Sequence, residues 1–187
     1  MHNTLNNLWQ SPQTVFTISQ LASLLQEPRT ELIVKRMYYY VRQGSLLSLR
    51  RGIYAKPQYN PEELACALYT PCYLSLEYVL QQAGVVFQMD ETLTMVSPLS
   101  RTLTIDGHTL RYRQMRGDLI ASMAGIESRG NINIAIPERA LLDTMYLQPH
   151  CHFDNLHPLS RRVIRQLLPV YQNKRLTERV EKLFSRS

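Results

Sequence analysis

Residues 30–57 read TELIVKRMYYYVRQGSLLSLRRGIYAKP, and this stretch decides the fold that the chain predicts. In a helix of about 100° per residue, the apolar residues of its first half share one face, namely Ile33, Val34, Met37, Tyr40 and Val41. The opposite face carries cations and tyrosines together with one acid: Glu31, Lys35, Tyr38, Tyr39 and Arg42. The pattern predicts an amphipathic helix whose outer face combines positive charge with flat side chains that form hydrogen bonds.

A short basic hairpin is expected directly after this helix. Gly44 suits the left-handed turn that closes a helix, and residues 45–49 and 53–55 have the composition of strands. Arg50, Arg51 and Gly52 would form the turn between the strands, with both arginines projecting from its tip. Phosphates beside a major groove, or a narrow minor groove, attract such a tip.

A shorter helix is expected before residue 30. Thr17 or Ser19 could cap its start, a leucine-rich stripe follows, and Pro28 would end it. Two short helices joined by a tight turn and followed by a basic hairpin are typical of a winged helix-turn-helix. That layout places its second helix in the major groove of DNA. We therefore expect residues 1–57 to form a DNA-binding domain.

The residues expected to contact double-stranded DNA come from both helices and from the hairpin. Lys35, Tyr38, Tyr39 and Arg42 would face the groove, and Arg36 would flank them. Arg50 and Arg51 would act from the hairpin, and Thr30 or Gln20 would contact the DNA backbone. A solvated helix face and an ordinary soluble turn remain the alternative interpretation of the same residues.

Charge is distributed unevenly along the chain. Residues 1–60 contain seven Lys and Arg and two Asp and Glu, whereas residues 61–157 contain six and eleven. Residues 158–187 contain eight basic and two acidic residues, so a basic head and a basic tail flank an acidic middle. The basic head fits an electrostatic footprint for nucleic acid, and the acidic middle suits a basic protein partner.

Composition points to a folded, cytoplasmic protein without a membrane partner. Apolar residues make up 44% of 187, which suffices for a core, and no run of 18 apolar residues exists. The N-terminal sequence MHNTLNNLWQSPQ lacks the basic flank and apolar centre of a secretory signal. Three irregularly spaced cysteines favour reduced thiols over a disulfide framework.

The remainder, residues 58–187, predicts a mixed α/β domain with a basic helical tail, so the expected fold class is α+β. A Pro-rich boundary at 57–61 precedes helices near 61 and over 75–83, the second capped by Ser75. Asp106-Gly107 favours a hairpin turn, residues 131–136 alternate like a strand, and Pro137 would open a helix. Two basic helices, 160–168 and 176–184, would be separated at Pro169.

Three stretches resemble the AbiEi family, the antitoxins and regulators of AbiE-type abortive-infection systems. They are YVRQGSL (40–46) running into RRGIY (50–54), YLSLEYVL (73–80) with Gly84, and IPERALLD (136–143). The resemblance implies a winged helix that binds inverted repeats in its own promoter, with possible self-association there. It also implies a second domain that opposes a neighbouring toxin of nucleotidyltransferase type. The basic tail is shorter than in many members of that family.

Enzyme readings find less support in the sequence, so we expect no catalytic activity and no cofactor. Gly44-Ser45 resembles the start of a nucleotidyltransferase site, but no paired carboxylates follow it. Glu138 and Asp143 are better explained by a helix start and an i, i+4 pair with Arg139. His150-Cys151-His152 lacks the C-x-x-C spacing of zinc sites. The alternative function is a plain winged-helix transcription factor whose second domain dimerises or binds a small-molecule effector.

Overall fold

The structure is a computed structural model that describes residues 2–88 and 90–185, with side chains from residue 5 onward. Its helices are α1 His2–Gln10, α2 Ile18–Leu25, α3 Thr30–Arg42, α4 Pro61–Leu68, α5 Glu77–Gln82, α6 Gly117–Ala121, α7 Pro137–Leu147, α8 Arg161–Tyr171 and α9 Lys174–Ser185. Its strands are β1 Val15–Thr17, β2 Leu47–Arg50, β3 Ile53–Ala55, β4 Tyr73–Leu74, β5 Leu93–Ser97, β6 Arg101–Ile105, β7 His108–Gln114, β8 Ile126–Arg129 and β9 Ile132–Ala135. The fold is therefore mixed α and β, as expected. No helix in these ranges is long and apolar enough to cross a membrane.

The N-terminal unit consists of α1, α2 and α3 with a small antiparallel sheet of order β1-β3-β2. Val15 and Leu47 both pair with Ala55, so β3 lies between the first strand of the chain and the hairpin partner β2. A separate apolar cluster fills this unit and consists of Leu8, Phe16, Leu21, Ile33, Met37, Tyr40, Leu46 and Tyr54. Its members come from all three helices and from the sheet, so burial of their apolar surface holds these elements together.

Local capping sets the two ends of α2. Thr17, rather than Ser19, is the N-cap, and it forms a reciprocal capping box with Gln20. The helix ends at Leu25 because Gln26 adopts the left-handed conformation with φ 51°. The tight connection to α3 therefore begins two residues before Pro28, which lies outside the helix.

The second part of the chain is built on a six-stranded sheet of order β6-β7-β5-β4-β9-β8. The pairs β4–β9 and β5–β7 are parallel, and the other neighbours are antiparallel. The Tyr112 hydroxyl donates to the Ala65 carbonyl of α4, whereas the Tyr73 hydroxyl donates to Asp143 of α7. On β5, Met95 is opposite Tyr112 and the next residue, Val96, is opposite Tyr73. Because successive residues of a strand point to opposite faces, the two tyrosines lie on different faces of the sheet. Helices α4 and α7 therefore cover opposite faces.

Two expectations about this part are wrong. Ser75 does not cap a helix, because its hydroxyl donates to the Asp143 carboxylate, and α5 begins only at Glu77. Pro169 does not separate the tail helices, because it lies within the last turn of α8. The break comes at Gln172, which has φ 47°. The predicted Asp106-Gly107 turn is confirmed between β6 and β7.

A buried ion pair lies between the sheet and the C-terminal helices. Arg139 and Asp143, one turn apart on α7, have no exposed side-chain surface, and Nε of Arg139 lies 3.2 Å from the carboxylate. Asp143 also accepts hydrogen bonds from Tyr73, Ser75 and Tyr171. The Arg139 guanidinium donates further to the backbone carbonyls of α6 and the loop after it. The expected i, i+4 pair thus exists, and it joins α7 to β4 and α8.

The N-terminal unit is attached to the rest of the chain by hydrogen bonds at α4. One oxygen of the Glu63 carboxylate accepts from the backbone amides of Thr14 and Val15 and from the Thr14 hydroxyl, at 2.7–3.0 Å. Lys56 is buried and donates to the Ser11 carbonyl at 2.6 Å. Charge-assisted bonds of this kind are stronger than neutral ones. The Glu63 bonds therefore fix β1 against the start of α4, whereas the Lys56 bond holds the segment before β1 to the end of β3.

Candidate nucleic-acid interface

Helix α3 presents its outer face from a well-packed base. Ile33, Met37 and Tyr40 are buried in the N-terminal cluster. On the other side, Tyr38 is 61% exposed and Tyr39 50% exposed. Large aromatic side chains usually lose water on folding, so two neighbouring exposed tyrosines indicate a surface that is available to a ligand. The helix face predicted from periodicity is therefore the face that the structure exposes.

The cations on α3 lie in the same stripe as these tyrosines. Lys35 and Arg42 are exposed, and the Arg42 guanidinium lies 5.9 Å from the centre of the Tyr38 ring, one turn back. Val34 departs from its expected place, since it is 38% exposed rather than packed inward. It lies one turn before Tyr38 and therefore belongs to the outer stripe. A small apolar group there suits contact with a thymine methyl group.

Arg36 belongs to a small ion-pair cluster beside this stripe. Its guanidinium lies 3.5 Å from a carboxylate oxygen of Glu27, and Arg29 approaches the other oxygen of that carboxylate to 3.0 Å. The hydrogen bond from Arg29 holds the pKa of Glu27 below its usual value. One carboxylate therefore offsets part of two positive charges, so Arg36 contributes less free charge than Lys35 or Arg42.

Gln20 and Thr30 occupy different kinds of position. The Gln20 side-chain oxygen accepts from the backbone amide and the hydroxyl of Thr17, so this side chain is engaged in the capping box. Thr30 is exposed at the first position of α3. Of the two residues expected to reach a DNA backbone, Thr30 has the freer side chain.

The hairpin turns at Arg51 and Gly52, one residue later than expected, because Arg50 still belongs to β2. Gly52 has φ 80°, which favours glycine, and a side chain there would also crowd Ile18 of α2. Arg51 is exposed at the tip. A register irregularity between Ser48 and Arg50 bends the strand beside it.

Arg50 does not project freely, because it meets Tyr69 at the end of α4. Its Nη1 donates to the Tyr69 hydroxyl at 3.4 Å, and its guanidinium lies 6.0 Å from the centre of that ring. This hydrogen bond lowers the pKa of Tyr69, and Arg101 on β6 acts in the same direction. Tyr69 packs edge-on against Tyr112 in the sheet, with ring centres 4.8 Å apart. The turn end of β2 is thus tied to the second part of the chain.

Tyr69, Arg101 and Val34 are surface residues that sequence reasoning missed. Only the exposed position of Val34, next to Lys35, could be anticipated from helical spacing, since 100° per residue places it at the edge of both faces. Contact of Arg50 with Tyr69 joins residues 19 positions apart, and no local pattern indicates it. Between Pro28 and Pro61 the sequence contains a single acidic residue, Glu31, so the surface is strongly positive.

The basic tail presents a second group of cations. Arg162, Arg165, Lys174 and Arg175 are exposed on α8 and α9. Arg161 instead lies 5.0 Å from the Phe184 ring centre, and Arg179 donates to the Met145 carbonyl. The opposite sides of both helices are buried, including Tyr171, Leu176 and Val180. The tail is therefore part of the core as well as a charged surface.

The residues considered for catalysis or metal binding are placed apart. Asp143 is bonded inside the core, and Glu138 accepts from the Ser160 amide at 2.9 Å. Cys66 and Cys72 are neighbours in the core, while Cys151 lies in a loop before α8. Within residues 2–88 and 90–185, no group of three or more His, Cys, Asp or Glu is arranged to hold a metal ion.

Comparison with models of known protein families gives no match to this chain, and comparison with curated proteins gives none either.

Proposed function

We propose that this protein is a transcriptional regulator that binds double-stranded DNA through α3 and the β2–β3 hairpin. In this proposal α2 and α3 form the helix-turn-helix, and the hairpin is its wing. The observation that carries the proposal is the exposed stripe of Lys35, Tyr38, Tyr39 and Arg42 on a helix whose other face is packed in a core. A rigid helix of this kind delivers several side chains to a groove together.

Different residues of the interface are suited to different parts of DNA. Arg42 can donate two parallel hydrogen bonds to a guanine edge, and Tyr38 and Tyr39 can bond phosphates or sugars. Lys35 and Arg51 suit phosphates, because an exposed cation gains from releasing the counterions condensed on DNA. Val34 adds an apolar contact. Sequence preference would then come mainly from α3, and general affinity mainly from the hairpin.

The resemblance to AbiEi proteins extends this proposal. It adds binding to inverted repeats in the protein's own promoter, with self-association there, and an antitoxin role against a nucleotidyltransferase-type toxin. The stretch 136–143, which carries much of the resemblance, lies around the buried ion pair of α7. A toxin would therefore contact other parts of the second domain, and exposed residues of α8 and α9 are the cationic candidates.

DNA binding is tested with the full-length protein and a labelled duplex from the region upstream of its gene. The change is Arg42→Ala together with Arg51→Ala, and the control is Arg162→Ala together with Arg165→Ala. Both variants lose two exposed positive charges. We expect the first variant to bind DNA much more weakly. The slope of its affinity against salt concentration should fall by about one phosphate contact, that of Arg51. Equal affinity of the first variant and the unchanged protein would remove Arg42 and Arg51 from the interface.

The antitoxin role is tested by co-expression with the gene next to this one. Shortening the chain after Tyr146 would be a poor test, because it would remove Tyr171 and other buried residues of the core. Charge reversal of Arg162 and Arg175 keeps the core and changes only the exposed surface. Rescue of growth by the unchanged protein, lost on this reversal, would support a contact with the tail. Absence of any rescue by the unchanged protein would exclude the antitoxin role.

A further inference from the structure

A second candidate binding site lies far along the chain from α3. A cleft of about 930 Å³ opens between the loop over residues 149–159 and the two C-terminal helices. Its volume lies near the upper end of the range of small-molecule sites, about 300–1,000 Å³. Its walls are apolar where Phe153, Leu159 and Phe184 contribute, and polar where basic side chains and histidines do.

The charges that line this cleft are mostly positive. Arg161, Arg179 and Lys182 bring three cations from α8 and α9. Among the described residues of the lining, Asp154 is the one carboxylate, and it lies 3.8 Å from the His152 imidazole. The acids of α9, Glu178 and Glu181, are not part of the lining. The cleft thus concentrates positive charge within low-dielectric walls, which raises the local concentration of anions.

Arg179 adds an observation that concerns a ligand directly. Its Nη2 donates to the Met145 carbonyl at 2.9 Å, which anchors the guanidinium at one end. Its Nε is buried and has no hydrogen-bond partner among the residues that the structure describes. Oε2 of Glu77 is likewise buried without a partner, and both Glu77 and Arg179 act electrostatically on Cys151, so this carboxylate is a candidate acceptor within the chain. A buried donor without an acceptor is costly, so Arg179 can also bond an acceptor that enters the cleft. Phosphate oxygens are suitable acceptors for a guanidinium.

We infer that this cleft binds a small organic phosphate, with its phosphate groups on Arg161, Arg179 and Lys182. The three cations match the charge of a di- or triphosphate better than that of a single carboxylate. The apolar wall formed by Phe153 and Leu159 accommodates the organic part of the ligand. Arg161 is held against the Phe184 ring, so less side-chain freedom is lost when it meets a phosphate. This site is independent of the DNA surface.

The test uses the full-length protein and three probes: ATP, inorganic pyrophosphate and adenosine. Calorimetry is expected to show binding of ATP and pyrophosphate and little binding of adenosine. Arg161→Gln with Lys182→Gln should weaken ATP binding by about tenfold or more, because charge-assisted hydrogen bonds are the strong ones. The matched control is Arg162→Gln with Arg175→Gln, which removes two exposed charges from the same two helices outside the cleft. The control should bind ATP as the unchanged protein does.

Each result decides the inference. Absence of ATP and pyrophosphate binding at millimolar concentration overturns it, as does equal weakening by the control pair, since binding would then follow diffuse charge. Adenosine binding as tightly as ATP would also overturn it. Lys182→Gln alone serves if the double variant fails to fold, because Lys182 is exposed and its side chain is in no ion pair within the described residues. The Arg42, Arg51 variant should bind ATP normally.

Discussion

Arg42 on α3 and Arg139 on α7 show two opposite uses of the same residue type. Arg42 is exposed, and its contact within the fold is the face of Tyr38. Arg139 has no exposed surface and donates to Asp143, Tyr73 and two backbone carbonyls. A buried charge must be neutralised by the protein itself, whereas an exposed one keeps its donors for a ligand. Burial of Arg139 assigns α7 to stability, whereas the exposure of Arg42 leaves α3 available for the proposed DNA contact.

The same contrast bears on the family resemblance. The most specific of the similar stretches, residues 136–143, supplies the buried pair and the start of α7. A resemblance there concerns the core of the second part and not the proposed DNA surface. The residues that would recognise a particular DNA sequence lie on α3, where chains that share a fold are free to differ. Similarity in residues 136–143 therefore says little about the ligand that α3 would bind.

The largest effect is expected from Arg139→Met. The change leaves the Asp143 carboxylate buried without its cation, so the free energy of unfolding should fall by about 3–5 kcal/mol. Urea denaturation monitored by circular dichroism measures the loss. Arg42→Met is the control and should change stability by less than about 0.5 kcal/mol, because its side chain is exposed. Equal stability losses at the two sites would refute the assignment of α7 to stability.

The double variant Arg139→Met with Asp143→Leu sharpens that result. Removing both charges avoids the unpaired carboxylate, so the double variant should be more stable than Arg139→Met alone. Tyr73, Ser75 and Tyr171 would still lose their acceptor, so full recovery is not expected. A double variant less stable than Arg139→Met would show that the unpaired Asp143 carboxylate is not the main cause of the stability lost in the single variant.

Arg42→Ala should have the converse effect. We expect it to weaken specific DNA binding by about 1–3 kcal/mol if the guanidinium contacts a base, with unfolding unchanged. Fluorescence anisotropy with the upstream duplex and with a scrambled duplex measures both affinities. The difference in affinity between the upstream and the scrambled duplex should narrow for Arg42→Ala. Arg51→Ala should instead weaken binding to both duplexes about equally. A uniform loss for Arg42→Ala would place that side chain on a phosphate.

Glu27→Gln should give a smaller effect of the opposite sign on binding. The change frees Arg29 and Arg36 from their shared carboxylate, so DNA affinity should rise modestly. The pKa of Glu27 is lowered in the folded protein, chiefly by the Arg29 hydrogen bond. Its stabilising contribution is therefore present above the pKa of the unfolded chain, and is lost as the pH falls through the folded pKa.

The pH profile separates the two roles of Glu27. The free energies of unfolding of Glu27→Gln and of the unchanged protein should differ at neutral pH. They should converge as the pH falls below about 4, near the ordinary pKa of Glu. Glu31→Gln is the control, since Glu31 is exposed on α3 and belongs to no ion pair within the described residues. It should raise DNA affinity and change the free energy of unfolding at neutral pH by less than about 0.5 kcal/mol. Identical profiles for both variants would contradict the ion-pair contribution.

The smallest effect is expected from Tyr69→Phe. The change removes the hydroxyl that accepts from Arg50 and keeps the ring against Tyr112. DNA affinity should fall by about twofold, because exposed contacts of this kind contribute only about 0.2–1 kcal/mol. Tyr59→Phe, which loses an exposed bond to Asp106 outside the interface, should leave DNA affinity unchanged. Equal effects of the two changes would show that Arg50 needs no support from Tyr69.

Local features of the molecule could be predicted from the sequence. The outer stripe of α3 follows from helical periodicity, and the Asp106-Gly107 turn follows from its preferred dihedrals. Long-range features could not. The two-residue strand β4 exists because its neighbours β5 and β9 pair with it, and its length gives no pattern to detect. Ser75 resembles a helix cap in sequence, but the buried carboxylate of Asp143 takes its hydroxyl.

In the proposed DNA surface, too, local placement could be predicted from the sequence and long-range contacts could not. Tyr38, Tyr39 and Arg42 could be placed on the surface, because one helix determines their common direction. Arg36 and Arg50 could not be placed, because each one bonds to a residue nine or more positions away. Val34 lies at the margin between the two helix faces, and the packing of the N-terminal unit leaves it exposed to solvent.

The bond between Tyr171 and Asp143 also sets an order of events during synthesis. The strand pair Val15–Ala55 joins residues that are synthesised well before α7. Asp143, in contrast, must await a hydroxyl 28 residues later, which is about 1–6 s at ordinary elongation rates. A premature stop codon before Tyr171 would therefore yield a chain with an intact first unit and an unfinished second one, a preferred target for cellular proteases.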